Sequence, residues 1–197
     1  LPRSFASLMP AREATRYRRY WDRFGTGTGG ILPYDLGSVQ DSEFMSSQEL
    51  GNSCGPACGR ELLRRDGIIV DEQTVMTAME SFPDGLTNPD NFYRGLNKIY
   101  AQYQHPRRFN FDFPGQTERE MFEFVSNLPS PWIASVRGGK ANAHAIIVER
   151  IIQNKVYVSD PWGMGAPGIG RGITATIGWD QFWQFWWKSF NKGAFSQ

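Results

Sequence analysis

The chemistry open to this chain rests on a few residue types at telling positions. Cys54 stands in the run Gln48-Glu49-Leu50-Gly51-Asn52-Ser53-Cys54-Gly55-Pro56-Ala57-Cys58. Gly51-Asn52-Ser53 reads as a turn, so a helix is expected to begin at Cys54. A thiol at a helix N-terminus is favoured as thiolate, the form that attacks carbonyl carbon. Cys58 lies one turn further in and lacks that position; a small, buried, apolar role is its ordinary expectation. His144 heads the apolar run Ala145-Ile146-Ile147-Val148. A nucleophilic thiol needs an adjacent base, and histidine serves near neutral pH. Asp160 ends the next strand-like run, and the spacing allows a hairpin to bring its carboxylate beside the ring. An acceptor there fixes the tautomer and stabilises the imidazolium. Taken singly, each has a plainer reading: a buried cysteine, a structural histidine, and an Asp-Pro turn opener.

The elements that must position these residues follow from periodicity. The helix from Cys54 is expected to run to about Arg65, with Gly67 at its stop. Asp71 caps a second helix through about Met79. Asn88-Pro89 opens a third, with Phe92, Leu96, Ile99 and Tyr103 along one face. Thr117 with Glu120 forms a capping-box pattern for a fourth, up to about Asn127. Strands are expected over 132–136, 143–152, 155–159 and 173–177, with Gln153-Asn154 as a tight turn. Helices first and an antiparallel sheet second predict an α+β fold. Near the end, Phe182, Trp183, Trp186, Trp187 and Phe190 share one helical face, and Phe185 lies off it. Such a stripe suits a membrane interface, but the opposite face lacks the usual basic residues. A helix packed on the sheet is therefore expected.

Taken in order, these stretches resemble a known family. Gln48, five residues and then Cys54-Gly55 is the spacing of oxyanion-hole glutamine and nucleophile in papain-like cysteine proteases. Asp160-Pro161-Trp162-Gly163 is similar to papain's Asn-Ser-Trp-Gly, with Asp in place of Asn. The Asp-Pro after a His-headed strand, Asn52 to Cys58, and the closing Trp179-Asp180-Gln181-Phe182 resemble the bacterial double-glycine peptidases, which process bacteriocin leader peptides. The resemblance covers about Gln48 to Trp187. It implies a papain-like fold whose nucleophile helix packs on a C-terminal antiparallel sheet. It implies Cys54 as nucleophile, His144 as base, Asp160 as its orienting residue and Gln48 in the oxyanion hole. Trp162 then shields the His–Asp contact, and Trp162 and Gly55 face the substrate. The expected activity is that of an endopeptidase acting through a thioester. The alternatives are a glutamine deamidase or transferase on the same triad, or an inactive binding module. No leader-binding feature is evident between Phe82 and Arg108. Domains of this family also occur as secreted bacterial toxins, a setting that implies a cognate immunity or inhibitor protein.

Composition narrows the classes. In 197 residues, 40% are hydrophobic and 21% charged, which permits one compact core. The net charge is +1, without the basic excess of a nucleic-acid binder. No apolar run approaches membrane-spanning length, and no signal peptide is visible. Cys54 and Cys58 would share a helix face, yet neither His105 nor His144 falls at zinc-binding spacing, so neither metal nor cofactor is expected. Two close cysteines make no disulfide framework, which fits a reducing cytoplasm, the cell's own or a target cell's. Residues 11–24 read as a basic, aromatic helix packed on the domain, and Gly25 to Gly30 as a linker. The division expected is 1–30 for helix and linker and 31–197 for the protease domain. An opening at Leu1-Pro2-Arg3 rather than Met is expected of a fragment or processed product.

Overall fold

A computed structural model describes residues 32–138, 141–162 and 170–197. The expected N-terminal helix and linker and Gly163 of the Asp-Pro-Trp-Gly motif lie outside the described residues.

The first helix, α1 (Cys54–Arg65), starts at the nucleophile candidate. Gly67 then takes φ +81, a left-handed turn that glycine adopts without strain. Helix α2 (Glu72–Ala78) is capped by Asp71, whose carboxylate accepts from Thr74 N–H at 2.7 Å. A short 3₁₀ turn at Pro89–Asn91 leads into α3 (Phe92–Gln102). Phe92, Leu96 and Ile99 are buried there, but Tyr103 lies just past the helix and is exposed. Tyr100 takes the buried place, and its hydroxyl donates to Asp66 Oδ2 at 2.6 Å. Helix α4 (Glu118–Ser126) carries the expected reciprocal capping box between Thr117 and Glu120.

Among the described residues six strands form one antiparallel sheet in the order β1-β5-β4-β3-β2-β6. They are β1 (Gln40–Ser46), β2 (Trp132–Gly138), β3 (Ala141–Ile152), β4 (Lys155–Asp160), β5 (Arg171–Gly178) and β6 (Gly193–Ala194). Both faces are covered. Alternate residues point to opposite sides of a strand. Ile133, Ala145 and Ile147 thus join the α1–α3 core with Leu62, Val75 and Leu96. Ile146, Val148, Val156 and Val158 join Met121, Val125, Phe182 and Trp186 on the other face. Two buried faces explain why β3 reads as a near-continuous apolar run. The fold is α+β, with α1 packed on the sheet.

Helix α5 (Trp179–Trp187) belongs to the second core. Its buried stripe is Trp179, Phe182 and Trp186. The expected face was set one notch too far along the chain: Trp187 and Phe190 are exposed, because the helix ends at Trp187 and a left-handed turn follows at Phe190 and Asn191.

Candidate active site

Cys54 is the first residue of α1, half-buried at the foot of a cleft. First-turn N–H groups of a helix have no partner within it. The N-cap residue Ser53 makes no side-chain cap. Its hydroxyl turns the other way, toward Glu72 and Leu50, so no side chain of the N-cap covers the backbone N–H groups of Cys54 and Gly55. Pro56 follows without an N–H, which costs nothing in a first turn.

His144 comes from the far side of the cleft, on β3, buried to 6% exposure. Its Nε2 donates to Asp160 Oδ1 at 2.7 Å. That leaves Nδ1 for the thiol of Cys54, which lines the same cleft. Asp160 is fully buried at the end of β4 and spends both oxygens. Oδ1 also accepts from Trp162 N–H at 2.9 Å, and Oδ2 from the Tyr34 hydroxyl at 2.6 Å. Burial disfavours charge on the ring, yet the Asp160 carboxylate, through its charge and its hydrogen bond, outweighs that, and Cys54 adds to it. Together they raise His144 from the usual 6.5 to about 10. The ring therefore rests as imidazolium at neutral pH.

A stability prediction follows from that shift. With a folded value above the unfolded one, the stabilisation is complete below about 6.5 and is lost as pH rises through about 10. The melting temperature of the wild type should fall between pH 7 and pH 10 more steeply than that of His144→Gln. Parallel curves in differential scanning calorimetry would remove the His144–Asp160 pair as the cause.

The cleft holds about 170 Å³, and its lining includes Cys54, Gly55, Leu86, Phe92, His144 and Trp162. Trp162 meets the His144 ring edge-on at 6.5 Å between centroids and covers one side of it. Gly55 lines the cleft, and a Cβ there would sit 2.4 Å from the Phe92 ring, so only glycine lets α3 approach so closely. The structure thus brings Cys54, His144, Asp160, Trp162 and Gly55 together. Gln48 differs. It is buried and does not line the cleft. Its Nε2 donates to the carbonyls of Leu50 and Gly51 at 2.8 and 3.0 Å. Its backbone N–H donates to Pro161 O at 2.7 Å, which ties the loop before Cys54 to the loop after Asp160. Cys58 is fully buried, and burial, followed by the nearby Cys54 and Asp160, pushes its thiol well above the ordinary range.

Sequence reasoning missed Tyr34, Ser53, Arg60 and Glu72. Tyr34 lies before any recognisable motif, and the bonds of Asp35 and Ser38 to Thr176 of the distant strand β5 place that segment near Asp160. Glu72 reads as an ordinary acid in a first helical turn. Among the described residues no three His, Cys, Asp or Glu side chains converge as a metal site, and no helix is long and apolar enough to cross a membrane.

Asp160 offers a graded test. In Asp160→Asn one oxygen still accepts from His144 and Trp162, and the Tyr34 hydroxyl can accept from the new amide. Asp160→Ala removes the carboxylate that both the ring and the Tyr34 hydroxyl bond. Positioned acid–base groups contribute about 10²–10⁴-fold. Asp160→Ala should therefore lose at least about 10²-fold in kcat, and Asp160→Asn about tenfold. Equal losses in steady-state assays would mean that Asp160 acts by charge alone or as a turn.

Neither a family model nor a curated protein sequence matches the chain. Solved structures do match in three dimensions. The peptidase domain of Streptococcus ComA, a bi-functional ABC transporter involved in a quorum-sensing pathway, superposes with TM-score 0.58 at 17% identity, covering 79% of this chain and 98% of that one. A peptidase from Bacillus anthracis gives 0.52 at 15% identity, covering 81% and 97%. A double glycine motif protease from an AMS/PCAT transporter, solved with its leader peptide, gives 0.52 at 15% identity, covering 81% and 92%. The chain has the fold of these peptidase domains.

Proposed function

We propose that this chain is a papain-like cysteine endopeptidase whose catalytic unit spans residues 31–197, with protein or peptide as substrate. The observation that carries the reading is the line from Cys54 through His144 to Asp160 across one cleft, with His144 held at 2.7 Å from Asp160. A nucleophile, a base and an orienting acceptor in that sequence are what acyl transfer requires.

In the proposed reaction the thiol proton of Cys54 resides on His144 Nδ1, and the sulfur attacks the scissile carbonyl. The oxyanion is met by the Cys54 backbone N–H. Gln48 supplies a second donor when its Nε2 exchanges the Gly51 carbonyl for the oxyanion. The C–N bond breaks as His144 protonates the leaving amine, and a thioester remains on Cys54. Water then gives its proton to His144 and its oxygen to the acyl carbon, the C–S bond breaks, and the acid leaves. Trp162 keeps bulk water from the His144–Asp160 contact. A peptide substrate also agrees with the neighbouring structure in complex with its leader peptide.

The test is a search of a proteome for new chain termini after exposure to the protein, with Cys54→Ala as control, followed by intact-mass analysis of the best substrate. Cys54-dependent cleavage is expected. Substrates that are deamidated but uncut would move the reading to a glutamine deamidase on the same triad.

A further inference from the structure

Behind the cleft lies a buried polar cluster that the reaction above does not use. Glu72, the first residue of α2, has a fully buried side chain, although nothing in α2 itself needs it there. Its Oε1 accepts from the Ser53 hydroxyl and, at 3.0 Å, from Glu49 N–H. Its Oε2 accepts from Arg60 Nη1 at 2.8 Å. Arg60, two turns along the nucleophile helix, also donates to the backbone carbonyls of Ser46 and Ser47 at 3.2 Å each. The Ser53 oxygen in turn accepts from Leu50 N–H at 2.9 Å. The residues gripped run from Ser46 to Ser53, the stretch that carries Gln48 and delivers Cys54. On its outer side Gly85 presses on Ser53, where a Cβ would come within 2.5 Å of the serine Cβ.

We infer that Glu72 is a positioning residue for the proposed peptidase reaction: held by Arg60, it fixes the Ser46–Ser53 loop and keeps the Ser53 hydroxyl off the helix N–H groups that receive the oxyanion. The chemistry favours this over a purely structural role. Serine at an N-cap ordinarily turns its oxygen onto the N2 or N3 N–H. Here N3 is Pro56 and N2 is Gly55, beside the nucleophile, so a capping hydroxyl would occupy the donor side of the cleft. A buried carboxylate needs partners, and each of these partners belongs to the loop or to the nucleophile helix.

The inference rests on the peptidase reading, and two readouts on the full chain separate them. Alkylation of Cys54 by iodoacetamide needs the thiolate but builds no oxyanion; peptide hydrolysis needs both. Loss of an oxyanion donor costs about 10²–10³-fold. A displaced loop is therefore expected to lower kcat of Glu72→Ala by about 10–100-fold. KM and the alkylation rate should stay within about threefold of wild type, because neither requires the donor. Glu72→Gln, which keeps one acceptor oxygen for Ser53 and Glu49, should recover most of kcat. If Glu72→Ala does not fold, Arg60→Gln, which loosens Glu72 and the Ser46 and Ser47 carbonyls, takes its place, with the same split between hydrolysis and alkylation. A Glu72→Ala protein that hydrolyses like wild type overturns the inference alone, as does parallel loss of hydrolysis, alkylation and melting temperature. A wild type that is alkylated but cleaves no peptide overturns the peptidase reading and this inference with it.

Discussion

Cys54→Ala should abolish turnover, a loss of about 10⁴-fold or more, while the protein keeps its melting temperature. Removing the nucleophile of an acyl-transfer triad leaves only binding and oxyanion stabilisation. The side chain is half-buried at the cleft, so its loss opens no core cavity. Cys58→Ala should do the opposite. That thiol is fully buried in the α1–α3 core, and replacing it costs about 1 kcal/mol, or roughly 2–4 °C in a chain of this size. Activity measured beside thermal melting for both variants makes the comparison. Loss of turnover in Cys58→Ala but not in Cys54→Ala would overturn the assignment of the nucleophile.

The second large effect is on folding. Truncation after Gly178 should leave an insoluble or unfolded chain, because it removes Trp179, Phe182 and Trp186 from the core along with strand β6. Trp186 is wholly buried, packs at 5.0 Å from Trp132 between ring centroids, and donates its indole N–H to Lys192 O. Deleting one such side chain costs about 3–5 kcal/mol against a total stability of about 5–15 kcal/mol, so losing three takes most or all of what a domain holds in reserve. Trp187→Ala, on the exposed side, should melt within about 2 °C of wild type, since surface changes shift stability by only about 0.5 kcal/mol. A truncated protein that stays folded and active but no longer binds liposomes would make the aromatic stripe a membrane contact instead.

Much of the fold was legible because its signals are local. The Asp71 cap, the Thr117–Glu120 box and Gly67 are short-range hydrogen-bond and backbone effects, and the structure shows each where the pattern put it. Strands β2 to β5 were legible from their apolar runs. Strand β1 was not: Gln-Asp-Ser-Glu-Phe-Met-Ser is too polar for a strand by propensity, and it forms at the sheet edge because β5 is there to pair with it. Strand β6, two residues long, carries no period at all. The same division holds at the site. Cys54, His144 and Asp160 stand in motifs; Tyr34, Arg60 and Glu72 matter only through partners distant in sequence. The direction of the Gln48 amide is likewise a matter of which carbonyls the loop presents to it.

That separation along the chain has a temporal side. Tyr34 and Asp160 are 126 residues apart, and β1 can pair only after β5 exists. At about 5–20 residues per second, Cys54 leaves the ribosome on the order of ten seconds before Asp160. Contacts so distant in sequence also close slowly, because chain entropy must be lost before they form. A nascent chain therefore carries a bare thiol without a base, and the competent cleft arises only with the finished sheet. On the proposed peptidase reading, unfinished or released fragments lack the assembled cleft, and only molecules translated through β5 would cleave.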